Sequence, residues 1–166
     1  MGARQKMALK HMKYNRYILL RYTIAGFFFA NLNWFIFMLP SRSVVMMLPL
    51  IMLFLALLPI QELFKLYSQP EGVTLKMTSL YFVAQLVANG FLISLSFYSP
   101  TFTIAFPFMN VNLHGVLGTV AILIIGMMLS LLCLKKIKAI QLNHDRGYKL
   151  FLDFKKSMKA SESYGE

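Results

Sequence analysis

Apolar residues fall into four long blocks, at about 22–39, 44–61, 77–98 and 113–134, separated by short stretches rich in Pro, Gly, Ser and Asn. At a rise of 1.5 Å per residue, about 20 apolar residues span the hydrocarbon of a bilayer. A backbone surrounded by lipid must satisfy its own hydrogen bonds, so each block predicts a helix. The apolar-polar alternation of a membrane barrel is absent. Breakers sit between the blocks: Pro40-Ser41-Arg42-Ser43 predicts a tight connection, Ser68-Gln69-Pro70-Glu71-Gly72 a second, and Ser99-Pro100 the end of the third helix. Pro49 and Pro59, inside the second block, predict kinks. The expected fold is all-α: an integral membrane protein with four transmembrane helices over 22–134. A basic arm precedes them over 1–21, and a basic tail over 135–166 carries an amphipathic cytoplasmic helix.

Composition sharpens this picture. Of 166 residues, 58% are apolar and 14% charged, and the mean hydropathy is +0.61. A soluble domain has about 25% charged residues, so the composition argues against a soluble globular enzyme, and the wealth of Phe, Leu, Ile and Met excludes disorder for most of the chain. The net charge is +11 from 17 Lys and Arg against 6 Asp and Glu. Its distribution matters more than its size. The arm, the tail, Lys65 and Lys76 hold every cation except Arg42. An even number of crossings puts the arm, the second loop and the tail on one side, and the positive-inside rule makes that side cytoplasmic, facing an anionic leaflet. No aromatic-basic surface module suggests nucleic acid. The first block follows a long charged arm and lacks a small-x-small cleavage site, so it predicts a retained helix rather than a leader.

The tails carry two patterns. Lys6, Lys10, Lys13 and Tyr17 share one helical stripe, which reads as topogenic charge or as a docking arm. In Gly147-Tyr148-Lys149-Leu150-Phe151-Leu152-Asp153-Phe154-Lys155-Lys156-Ser157-Met158-Lys159, an apolar arc of Tyr148, Leu150, Phe151, Leu152, Phe154 and Met158 opposes Lys149, Asp153 and Lys156. That pattern predicts a helix lying at the headgroups or against a partner.

Polar residues within the blocks are the candidate functional positions, because hydrocarbon penalises them. None is charged. Asn31 and Asn33 lie in the first block. Tyr81, Gln85 and Asn89 recur every four residues in the third and share one face. These five form a candidate intramembrane polar seam, either lining a substrate path or joining helices by hydrogen bonds. Gly115, Thr119, Gly126 and Ser130 make a small-residue stripe on the fourth block, expected to be the main packing seam of the bundle or of a homodimer. Glu62 ends the second block three residues before Lys65, which predicts an interfacial ion pair. The uncharged loop near 98–112, with Phe102, Phe106, Phe108 and Met109, is expected to lie in the interface, to re-enter the membrane or to dock a partner.

No catalytic or metal chemistry is encoded in a recognisable spacing. His11, His114 and His144 are scattered, Cys133 is the single cysteine, and GxSxG, Gly-rich phosphate loops and paired carboxylates are missing. A proton-coupled exchanger of the small multidrug type needs a carboxylate in its first helix, where this chain has amides. No cofactor is expected. Arg21-Tyr22-Thr23-Ile24-Ala25-Gly26 followed by Ala30-Asn31-Leu32-Asn33 resembles the opening of GtrA-like proteins. Those are four-helix membrane proteins linked to the movement of polyprenyl-phosphate sugars. The likeness is confined to residues 21–33. The basic-aromatic motif expected after the second and fourth helices is replaced by Lys65-Leu66-Tyr67 and Lys135-Lys136-Ile137. The expectation is a non-enzymatic accessory or scaffold subunit, partnered by the bilayer and by other membrane proteins or copies of itself. The alternative, which the resemblance shapes, is a homo-oligomeric small transporter or lipid-carrier flippase.

Overall fold

The computed structural model describes residues 7, 11, 12, 15–68 and 74–163, with no strand among them. The elements are α1 (Ile18–Met38), α2 (Met47–Ser68), α3 (Lys76–Ser96), a short α4 (Ser99–Ala105), α5 (Leu113–Gln141) and α6 (Arg146–Ser163). Four of them, α1, α2, α3 and α5, are long and apolar enough to cross a membrane. Lys6, Lys10 and Lys13 of the N-terminal stripe lie outside the described residues, as does the side chain of Met158.

Local chemistry sets the helix ends. Arg42 turns the chain after α1 in the left-handed region, at φ 46°, and the Ser43 hydroxyl accepts the Val45 N–H at 3.2 Å. Because α2 begins at Met47, Pro49 falls in its first turn, where a backbone N–H has no acceptor to lose. The expected kink therefore has a basis only at Pro59. Pro100 does more than stop α3: it opens α4 in the first helical turn. The Asn112 side chain accepts the Gly115 N–H at 2.7 Å and caps α5. That helix outruns its apolar block to Gln141 because Ile137 and Ile140 keep a buried face. It closes at Asn143, φ 54°, with His144 N–H donating to Ala139 O at 2.9 Å.

The long helices run up and down in a ring. Contacts are extensive along α1–α2, α2–α3 and above all α3–α5, and sparse along α5–α1. One core, around Leu20, Ile24, Ala56, Phe82, Cys133 and Ile137, fills the end nearest the termini. A second, of Leu92, Phe102, Ala105 and Phe106, fills the loop end. The 98–112 segment is thus folded back onto the bundle, with α4 as its lid.

Candidate functional site

Three of the candidate polar residues meet between α1 and α3. The Asn31 amide nitrogen donates to Phe27 O at 2.8 Å and to Gln85 Oε1 at 3.3 Å, and Gln85 Nε2 donates to Asn89 Oδ1 at 3.1 Å. The order of donors follows from one end. Phe27 O accepts only, so Asn31 presents nitrogen, Gln85 presents oxygen to it, and Asn89 presents oxygen to Gln85. Asn89 is left with an amide nitrogen that donates to no group among the described residues.

That nitrogen lies over Gly126 of α5. A Cβ at Gly126 would come within 2.6 Å of it, so glycine is what lets α5 approach Asn89. Thr119 and Ser130 are buried on the same face of α5 and return their hydroxyls to their own helix, at Gly115 O and Gly126 O, both 2.9 Å. Gly115 stands apart from this contact. It occupies the first turn, where an added Cβ would collide with the Asn110 carbonyl oxygen. Asn33 also stands apart, exposed and bonded back to Phe29 O at 2.8 Å. Tyr81, on the face of Gln85 and Asn89, is buried among Phe82 and its neighbours, and its hydroxyl meets no partner among the described residues.

Above the amides is a cavity of about 210 Å³. Phe27, Ala30, Asn31 and Trp34 wall it from α1, Gln85, Ala88, Asn89 and Leu92 from α3, and Thr119, Ile122, Leu123 and Gly126 from α5. Phe106, Phe108 and Met109 roof it. Trp34 fixes the roof: its Nε1 donates to Ala105 O at 3.1 Å, and its ring stacks on Phe106 at 5.6 Å. The exposed Ala30, Phe108 and Ile122 mark a side opening between α1 and α5, the loosely closed edge of the ring. The Trp34 contacts, invisible in the sequence, are the part of the site that residue-by-residue reading missed. A broader groove of about 630 Å³ on the outer surface, between α1 and α2, includes Arg21, Phe28 and Phe64 but no buried polar group.

At the opposite end, the ionisable groups are spent on joining elements. Glu62 does not pair with Lys65. Its carboxylate reaches the start of α3, accepting Met77 N–H at 3.3 Å, Thr78 N–H at 2.7 Å and the Thr78 hydroxyl at 2.6 Å. Leu75, the residue before the helix, offers no capping side chain. The free N–H groups and positive end of α3 give Glu62 directed, buried bonds that an exposed lysine cannot match. Arg16 makes a two-pronged bond to Asp145, with Nε to Oδ2 at 3.0 Å and Nη2 to Oδ1. It also donates to Ile140 O and Asn143 Oδ1 and covers the Tyr148 ring at 5.1 Å. Burial pushes the Asp145 carboxyl up, but the hydrogen bond and charge of Arg16, the charge of Lys136 and the Tyr148 amide outweigh it and hold the group below the ordinary carboxylate range.

Comparisons with protein-family models, curated proteins and solved structures find no match for this chain. The likeness of residues 21–33 to the opening of GtrA-like proteins therefore assigns no family.

Proposed function

We propose that this chain is a small, non-enzymatic multi-pass membrane protein that serves as an accessory or scaffold subunit of a larger membrane assembly. In this reading α1, α2, α3 and α5 cross the bilayer. The cations clustered beside the termini place both termini in the cytoplasm, and α6 lies along the headgroups with Lys149 and Lys156 exposed. The observation that carries the reading is exposed apolar surface at the loop end, where the candidate spans begin and end. Val44, Phe97 and Leu113 are 86%, 76% and 70% exposed there, beside a single Lys or Arg, Arg42. Exposed apolar surface gathered at one end of a bundle is suited to protein contact, and the occupant proposed is another membrane protein. The interior agrees with it: no ionisable side chain lines the cavity, and Glu62, Arg16 and Asp145 are engaged in structure.

Reciprocal affinity capture in mild detergent tests this. A membrane protein recovered in fixed ratio with the wild type, and lost with Val44→Glu/Leu113→Glu while the variant still inserts, is the expected result. Recovery of this chain alone as a homo-oligomer overturns it in favour of a carrier, the reading that the side-opening cavity favours. Orientation is tested separately by thiol labelling in a Cys133→Ser background. Ser99→Cys is expected to react from outside, and Ser157→Cys only after permeabilisation.

A further inference from the structure

The cavity has features that a joint between helices does not need. Asn89 is 4% exposed, yet its amide nitrogen donates to no group among the described residues. Among the described residues, the Tyr81 hydroxyl is the only side-chain polar atom that is both sealed and unpartnered. The Asn89 nitrogen therefore keeps access to open space, and the space beside it is the cavity that Asn89 and Gly126 both line. A donor left without a partner in a largely buried side chain is costly. An acceptor arriving in the cavity would recover that cost. The remaining wall is uncharged: Asn31, Gln85 and Thr119 are engaged in the bonds described above, the other lining residues are aromatic or aliphatic, and the opening lies between α1 and α5.

We propose that this cavity is a binding site for a neutral, lipid-soluble molecule that enters sideways from the bilayer and presents a carbonyl oxygen to Asn89 Nδ2. Charge is excluded by the absence of any ionisable wall residue. Size is set by the volume: an apolar cavity of about 150 Å³ holds benzene, so 210 Å³ takes a six-membered ring with its carbonyl, or the ester end of a longer chain. Specificity resides in one hydrogen bond, with Gly126 leaving room for the donor. The proposal goes beyond the accessory-subunit reading and stands independently of it.

The chain has one tryptophan, Trp34, and it lines the cavity, so its ¹⁵N-indole resonance reports occupancy directly. In dodecyl maltoside, a detergent without carbonyls, the full chain is titrated with cyclohexanone and with its isostere methylenecyclohexane, each as a mole fraction of the micelle. The expected result is saturable shifts with both, the ketone binding about three- to tenfold tighter, the range a single net hydrogen bond provides. Asn89→Leu is expected to bring that ratio to about one, and Leu123→Phe to abolish both responses by filling the space. Repeating the titration in phosphatidylcholine nanodiscs separates the sources. A ketone response retained there indicates a free small molecule, and a resonance already shifted and unresponsive indicates a lipid ester. Equal binding of the two probes to the wild type overturns the role of Asn89. A shift that never saturates overturns the site. Neither of these outcomes depends on the variants folding, and neither bears on partner capture.

Discussion

At the end of the bundle nearest the termini, Arg16 ties the segment before α1 to the start of α6 and Glu62 ties α2 to α3, and the hydrogen bonds they make run to carboxylate, carbonyl and amide partners. At the loop end, α4 is held to α1 by one indole hydrogen bond and stacked rings, and the packing beneath it leaves a cavity open. One end spends charge to fix geometry. The other carries one Lys or Arg, Arg42, and holds its lid by ring packing and uncharged hydrogen bonds. Segments that open first in a native protein have few directed bonds, so the lid is expected to open before the Arg16–Asp145 clasp. Each prediction below is a way to break that contrast or to sharpen it.

The largest effect belongs to the clasp. The side chains of Arg16 and Asp145 are 10% and 1% exposed, and removing one partner of a buried pair leaves an uncompensated charge. Asp145→Asn is expected to cost about 3 kcal/mol, read by denaturation in detergent micelles. The pH dependence has a definite sign. The folded carboxyl titrates below its ordinary value, so the stabilisation is complete above the unfolded value of about 4 and is lost as pH falls through the lower folded value. Wild type is expected to lose stability below about pH 4 by a step that Asp145→Asn lacks. An identical acid profile in the two proteins would show that the carboxylate contributes nothing.

Glu62→Gln comes next. The amide keeps the shape and one acceptor but loses the charge facing the first turn of α3, and it leaves a buried Thr78 donor without its carboxylate. Hydrogen bonds to charged groups contribute about 1.5–3 kcal/mol, and a loss in that range is expected. Hydrogen exchange should quicken at the first turn of α3 while α4 is unaffected. Quickening at both ends would mean that the two regions unfold together and are not distinct.

The sequence made legible whatever depends on neighbours along the chain. Four apolar blocks located four helices, and the four-residue spacing of Tyr81, Gln85 and Asn89 put them on one face, as the helix requires. It also separated Asn31 from Asn33. What it hid are pairs joined through space. Arg16 and Asp145 lie 129 residues apart, and neither neighbourhood shows a need for the other. Glu62 was read against Lys65 because helical spacing favours that pair, whereas the empty cap position at Leu75 was the signal of a carboxylate supplied from elsewhere. The uncharged 98–112 loop left three outcomes open. The structure adds a fourth, packing back on its own bundle, because Phe102, Ala105 and Phe106 have an apolar seat in Trp34, Leu92 and Leu48.

A smaller effect is expected from Gln85→Leu/Asn89→Leu. The double change removes the Asn31–Gln85 bond between α1 and α3 and the Gln85–Asn89 bond within α3, and side-chain hydrogen bonds inside membrane bundles average about 0.6 kcal/mol each. The expected loss is about 1–2 kcal/mol, read as thermal stability in detergent. Asn31 keeps its bond to Phe27 O and so stays anchored. If stability is unchanged, the amides contribute no net bonding between helices, and their place in the wall of the cavity is the whole of their role.

Trp34→Phe probes the lid alone. Phenylalanine keeps a ring to stack on Phe106 but cannot donate to Ala105 O, the acceptor of the indole N–H. Ala105 is fully buried, so its carbonyl is left with little water to replace the indole, and about 1 kcal/mol should be lost. This cost falls on α4 rather than on the whole bundle, because α1 and α3 remain joined through Asn31 and Gln85. The measurement is amide exchange at Phe106, whose N–H donates to Phe102 O at 2.8 Å. A local loss of about 1 kcal/mol speeds exchange there about fivefold, with no change at the first turn of α3 or at Tyr148. If the first turn of α3 quickens as well, the lid and the clasp share one cooperative unit. If exchange at Phe106 does not move, the ring stack alone holds the lid, and the hydrogen bond serves only to orient the indole over the cavity.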